Sequence, residues 1–155
     1  MIRILRAIWG IYGLVIFVVT LILAIICYFV IFTIADKKNA ASIAHKYVSK
    51  NWARTLFVFF GIRLKIKNKH LLKKEQTYVF VANHLSQLDI PADAIATEHV
   101  FKYLAKEELT KIPLMGYIIR NLYISVNRKD KFARAKSMEN MQKNIRDGIS
   151  VFIFP

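Results

Sequence analysis

Tyr78-Val-Phe-Val-Ala-Asn-His-Leu-Ser-Gln-Leu-Asp89 is an apolar block that runs out into a polar loop and then toward a helix. Residues 78–82 form a short apolar run without polar alternation, the pattern of a buried strand that delivers a loop. A helix is predicted over 88–98, with Pro91 in its first turn, where a missing N–H costs no hydrogen bond. Working outward, the same alternation repeats. Residues 100–105 read as a strand, 113–121 as a helix, 122–126 as a strand, 131–147 as a helix and 150–154 as a final strand. On the helix over 131–147, Phe132, Ala135, Met138, Met141 and Ile145 are expected to share one face, and Gly148 to cap the end. On the N-terminal side, residues 62–67 alternate apolar and basic, the period of a half-buried strand. Strands alternating with helices predict an α/β fold, a mixed sheet flanked by helices.

Composition bounds the remaining possibilities. The 155 residues carry 24 Lys and Arg against 10 Asp and Glu, a formal charge of +14, yet 55% are hydrophobic. Such a chain is too apolar to be disordered. Its lone cysteine, Cys27, excludes an internal disulfide framework. The two tendencies are separated along the chain. Residues 7–35 contain no charge over 29 positions, longer than the roughly 20 apolar residues that span a bilayer. A cleaved signal peptide has a shorter apolar region followed by small residues, whereas Asp36-Lys37-Lys38 follows here. Arg3 and Arg6 precede the run, and Lys37, Lys38, Lys46, Lys50 and Arg54 follow it. That bias predicts a cytoplasmic location for everything after the run.

Residues 39–60 place Ala40, Ile43, Ala44, Tyr47, Val48, Trp52 and Leu56 at three- and four-residue steps, with Lys46, Lys50 and Arg54 between them. This is an amphipathic helix, suited either to anionic headgroups or to packing on the domain that follows. It also allows a second arm of a re-entrant hairpin. The predicted organisation is therefore an N-terminal membrane helix or helical hairpin over 1–60, anchoring an α/β domain over 61–155.

The candidate chemistry lies in the loop after the 78–82 strand. An imidazole near neutrality takes a proton from a hydroxyl when its second nitrogen is held by a carboxylate. His84 and Asp89, five positions apart, are candidates for those parts, with a substrate alcohol as the nucleophile. The spacing equally suits an ordinary loop histidine and an aspartate that caps a helix. His45, His70 and His99 are scattered without metal-ligand spacing and read as surface or structural residues.

Asn83-His84-x-x-x-x-Asp89 after an apolar strand, downstream of an apolar N-terminal run, resembles the glycerolipid acyltransferase family, and within it the 1-acyl-sn-glycerol-3-phosphate acyltransferases. Tyr103-Leu-Ala-Lys-Glu-Glu-Leu109, with Ile112-Pro113 and Gly116, is similar to the lysine-bearing segment ahead of that family's second motif. Ile124-Ser-Val-Asn-Arg128 resembles the second motif, with Asn127 in place of its usual acidic residue. Val151-Phe-Ile-Phe-Pro155 resembles the lead-in to the third, which continues in the family as Glu-Gly-Thr-Arg. The resemblance therefore implies a domain that is C-terminally incomplete here, and a chain that is inactive alone.

What the resemblance implies is transfer of a fatty acyl group from acyl-CoA or acyl-carrier protein to the free hydroxyl of lysophosphatidate. His84 would be the general base and Asp89 its orienting partner. Arg128 would meet the acceptor phosphate through its planar fork, with Lys106 a second candidate for that part. No metal and no cofactor beyond the thioester co-substrate are expected. The expected partners are membrane lipids and these two substrates, on the cytoplasmic side of the cell membrane. Two other readings stay open: an acceptor that is another lysolipid, such as a lyso-aminolipid, and a non-catalytic membrane-anchored binding protein of the same fold. The basic residues are spread from Lys37 to Arg146 without a compact tract, so no specific nucleic-acid partner is expected.

Overall fold

The apolar N-terminal run folds as one helix, α1 (Ile2–Ile34), of 33 residues, about 50 Å from end to end. The computed structural model describes residues 2–113, 115–127 and 130–154. Contacts divide the chain into two units, Met1–Lys67 with Ile90–Ala96, and Asn68–Asp89 with Thr97–Pro155.

In the first unit, α2 (Lys37–Ile43), a π-helical stretch (Ala44–Ser49) and α3 (Lys50–Phe59) run back along α1. Three polar ties fix the antiparallel register. The Tyr28 hydroxyl and Ser49 Oγ lie 2.9 Å apart, Trp52 Nε1 donates to Thr20 Oγ1 at 3.2 Å, and the Tyr12 hydroxyl donates to the Phe59 carbonyl at 3.3 Å. Ala24, Ala40, Ala44 and Ala53 are buried in the seam, where small side chains let helices approach closely. Most of the other apolar side chains of α1 are exposed, and the helix is long and apolar enough to cross a membrane.

The expected amphipathic stripe is broken by the π-helical stretch. Burial steps from Ala40 to Ala44 to Val48 by fours, then by five to Ala53, before Leu56 and Phe57. One extra residue per turn rotates the helix and turns Tyr47 outward, 56% exposed, with the Lys46 ammonium 5.0 Å above its ring. Residues 62–67 form no strand: Leu64 and Ile66 remain 41% and 40% exposed. Alternation alone makes no strand where no ladder partner is present, and among the described residues none pairs with this segment.

The second unit is an α/β sheet. β1 (Val79–Val81), β2 (Phe101–Lys106), β3 (Tyr123–Val126) and β4 (Ser150–Ile153) are ordered β1-β4-β2-β3. All three ladders are parallel, so the described sheet is simpler than the mixed one expected. α5 (Met115–Leu122) connects β2 to β3, and α6 (Lys131–Arg146) connects β3 to β4. α4 (Asp89–Ala96) leaves the loop that follows β1.

Register sorts the two faces of the sheet. Phe80, Phe152, Tyr103 and Tyr123 lie directly across from one another on four neighbouring strands. Their rings sit 5.3–5.4 Å apart from neighbour to neighbour, close to the strand spacing itself. On the opposite face Ile124 and Val151 pack with Met141 of α6, flanked by Leu104, Ile145 and Ile153. Burying a side chain such as Val151 contributes about 1.5–3 kcal/mol.

α6 sits differently from its expected pose. Phe132 and Met138 are 85% and 55% exposed, while Ser137 and Met141 are buried. Ser137 reaches the sheet because it is small, and its hydroxyl donates to the Ser125 and Ala133 carbonyls at 3.1 and 2.8 Å. Gly148 caps the end of the helix as expected, and the structure adds Asp130 as the cap at its start. Asp130 Oδ1 accepts from the Phe132 and Ala133 amides, and Gly148 ends the helix at φ +79°.

Candidate active site

Parallel strands end on one side, so the loops that leave their C-terminal ends gather along one edge, where open α/β sheets bind ligands. Residues 82–89 leave β1 there, Lys106 closes β2, Asn127 follows β3 and Phe154 follows β4. The Ala82 amide donates to the Ile153 carbonyl at 3.2 Å, carrying the β1–β4 pairing one residue past the strand.

Within that loop His84 and Asp89 meet. Nδ1 of His84 lies 3.2 Å from Oδ2 of Asp89. The same oxygen accepts the Leu85 and Ser86 amides, each at 2.8 Å. Ser86 Oγ in turn accepts the Leu88 amide at 3.2 Å, and the Asp89 amide donates to the Ser86 carbonyl. The loop thus wraps its own carboxylate. The Ser86 N–H does most to hold the Asp89 carboxyl below the usual range; partial desolvation opposes it, and the Leu85 N–H and His84 reinforce it.

An ionised acceptor at Oδ2 fixes the tautomer of the ring. Nδ1 carries the proton and donates it to Asp89, which leaves the lone pair on Nε2. The two side chains are 34% and 31% exposed, so the pair is partly open to solvent. Asp89 is the first residue of α4, but its carboxylate points back at the two amides before it. One face of the His84 ring lies on Phe154, with centroids 4.4 Å apart and planes 20° from parallel.

The other two candidates are Lys106 and Arg128. Lys106 is exposed at the end of β2, level with Val126 of β3, and among the described residues no hydrogen bond or ion pair joins it to His84 or Asp89. Arg128 lies outside the described residues. Among them no three His, Cys, Asp or Glu side chains gather as a metal site. Of the other histidines, His45 and His99 are buried and His70 is exposed. His99 is structural: Nε2 meets the Lys73 carbonyl at 2.9 Å, Nδ1 meets the Thr97 hydroxyl at 2.9 Å, and the ring stands edge-on to Tyr78.

Sequence reasoning missed the Leu85 and Ser86 amides and the Phe154 ring. The amides carry no residue-type signal. The Phe154 ring reaches His84 only because β1 lies beside β4, a pairing of distant segments.

The geometry can be set beside known proteins. A profile of the Acyltransferase family matches residues 63–155. An uncharacterized acyltransferase of Schizosaccharomyces pombe is 30% identical over 97 residues, 59% of this chain and 34% of that protein. A 1-acyl-sn-glycerol-3-phosphate acyltransferase of Chlamydomonas reinhardtii is 26% identical over 115 residues, 73% of this chain and 34% of that one. The chain thus spans about a third of the length of these curated relatives. The crystal structure of the 1-acyl-sn-glycerophosphate acyltransferase PlsC from Thermotoga maritima superimposes with a TM-score of 0.80 at 22% identity. That match covers all of this chain and 62% of the other, and it supports the fold. The resemblance carried by residues 83–89 therefore has its counterpart across most of the α/β domain: the chain belongs to the Acyltransferase family.

Proposed function

We propose that the protein moves a fatty acyl group from acyl-CoA or acyl-carrier protein to the sn-2 hydroxyl of 1-acylglycerol 3-phosphate, giving phosphatidate. The observation that carries the reading is the His84–Asp89 pair, with Nε2 free to accept a proton at an open edge of the sheet. Membership of the family supports the reaction class, and the Chlamydomonas relative, a 1-acyl-sn-glycerol-3-phosphate acyltransferase, supports this choice of acceptor.

In this reaction Nε2 of His84 takes the proton of the acceptor hydroxyl as its oxygen attacks the thioester carbonyl. The ionised Asp89 stabilises the imidazolium that forms. The tetrahedral intermediate collapses with cleavage of the C–S bond, and the proton on Nε2 returns to the departing sulfur. Arg128 and Lys106 are assigned to the acceptor phosphate. The α1 hairpin would hold the protein at the bilayer that contains acceptor and product, with the α/β domain on the cytoplasmic side. Each lysine or arginine near an anionic surface adds about 1 kcal/mol of attraction.

The test is acyl transfer by membranes from cells expressing the complete gene, wild type against His84→Ala. The variant is expected to lose turnover while fractionating with membranes as the wild type does. Near-normal turnover by His84→Ala would overturn the reading.

A further inference from the structure

The row of rings on one face of the sheet extends to the candidate base. Phe154 stacks on Tyr103, with centroids 5.5 Å apart and planes at 18°, and Tyr103 stacks on Tyr123 at 5.3 Å and 29°. With His84 on the far side of Phe154 at 4.4 Å and 20°, four near-parallel rings form a column. It runs from β3 across the sheet to the loop after β1. Phe154 is the only one of the four that touches both the sheet's ring row and the imidazole among the described contacts.

The imidazole needs this second support. Rotation about its Cβ–Cγ bond has a broad minimum, and the bond to Asp89 is long for a charge-assisted contact, 3.2 Å against about 2.7–2.9 Å. A single tether of that length leaves the ring free to swing and Nε2 with it. A flat partner on the ring face removes the swing.

We propose that Phe154 is a positioning residue for His84: by stacking on the imidazole it sets the plane of the ring and so the direction of Nε2. The proposal rests on the general-base reading above. The imidazolium formed during the reaction stays over the Phe154 ring, an arrangement that favours the cation. The Phe154 ring carries no group that can give or take a proton.

Two variants separate a flat face from mere bulk. Phe154→Leu keeps an apolar side chain without a ring, and Phe154→Trp restores a ring. If orientation is the role, Phe154→Leu lowers kcat by about ten- to a hundred-fold with little change in either KM, as misplacement of a reacting group does, and Phe154→Trp recovers most of the loss. A second readout does not depend on turnover. The ring protons of His84, identified by their disappearance in His84→Ala, lie over the Phe154 face and are shifted upfield by its ring current. They should move downfield in Phe154→Leu and not in Phe154→Trp. Unmoved His84 protons in Phe154→Leu would overturn the stack, and an unchanged kcat in that variant would overturn its importance. Full turnover by His84→Ala would instead remove the general-base reading, and the proposal with it, even with the ring shift intact.

Discussion

The two edges of the sheet each present a histidine, and the difference between them separates structure from chemistry. At the N-terminal edge His99 is buried, and both ring nitrogens are engaged, one by the Thr97 hydroxyl and one by the Lys73 carbonyl. At the C-terminal edge His84 engages, among the described residues, only Nδ1, and its partner is a carboxylate. A ring with both nitrogens satisfied ties segments together. A ring with one nitrogen held by an anion and the other open is set up to accept a proton. A cleft of about 290 Å³ lies at the N-terminal edge, lined by Lys69, His70, Leu72, Lys74, Glu98 and His99. A cleft lies at one edge and the proton chemistry at the other. The orientation of parallel strands favours the second.

The sharpest way to break this comparison is to remove each base in turn. His84→Ala should cut kcat by about a thousand-fold, within the usual worth of a general base, with only a small loss of unfolding stability. Asp89→Asn comes next, at about a hundred-fold in kcat, because a neutral amide can still orient the ring but does not stabilise its cation. Acid unfolding provides a second check on Asp89. Its carboxyl titrates lower in the folded protein than in the unfolded chain, so its stabilisation is complete above the ordinary value of about 4. It is lost as pH falls below that toward the folded value. The wild type should therefore lose stability below about pH 4 more steeply than Asp89→Asn. Parallel acid-unfolding curves would show that the Ser86 and Leu85 amides do not hold a carboxylate.

Most of the sheet was legible because each strand is an apolar block bounded by polar turns, and each helix falls between two such blocks. The predicted strands over 78–82 and 150–154 end within two residues of β1 and β4. Failures occurred where a local pattern has more than one tertiary use. The alternation over 62–67 has the period of a strand, but strands exist only in pairs. On α6, Phe132 and Met138 belong to the apolar face read from the sequence but are exposed, since an apolar residue need not be buried. The surface fitted to β3 is instead made by Ser137, small and doubly hydrogen-bonded. The His84–Asp89 pair was readable because both members lie in one loop. The contact of His84 with Phe154 was not, because it depends on β1 lying beside β4, which is about seventy residues distant in sequence.

Effects at the N-terminal edge should be smaller and of another kind. His99→Ala leaves the Lys73 carbonyl and the Thr97 hydroxyl without their ring partner and removes an edge contact to Tyr78. The expected cost is about 2 kcal/mol in denaturant unfolding, with kcat unaltered below the transition. A large loss of turnover in the folded variant would mean that the two edges share the chemistry.

Least of all should be the effect of Glu98→Gln. Glu98 receives Lys69 at 2.9 Å and Lys74 at 3.2 Å. Those two ammonium groups hold its carboxyl down to about 2, from an ordinary 4.5. A depressed carboxyl stabilises the fold above its unfolded value, and the contribution is lost as pH falls from 4.5 toward about 2. The side chain is exposed, however, and solvent and salt screen such pairs. Glu98→Gln should therefore lower the melting temperature slightly at pH 7 and low ionic strength, and the difference should vanish at about 1 M salt, where the screening length is only ~3 Å. A difference that persists in high salt would mean that the cluster is dehydrated in solution. The N-terminal edge would then need a stronger role than bracing the loop before β1.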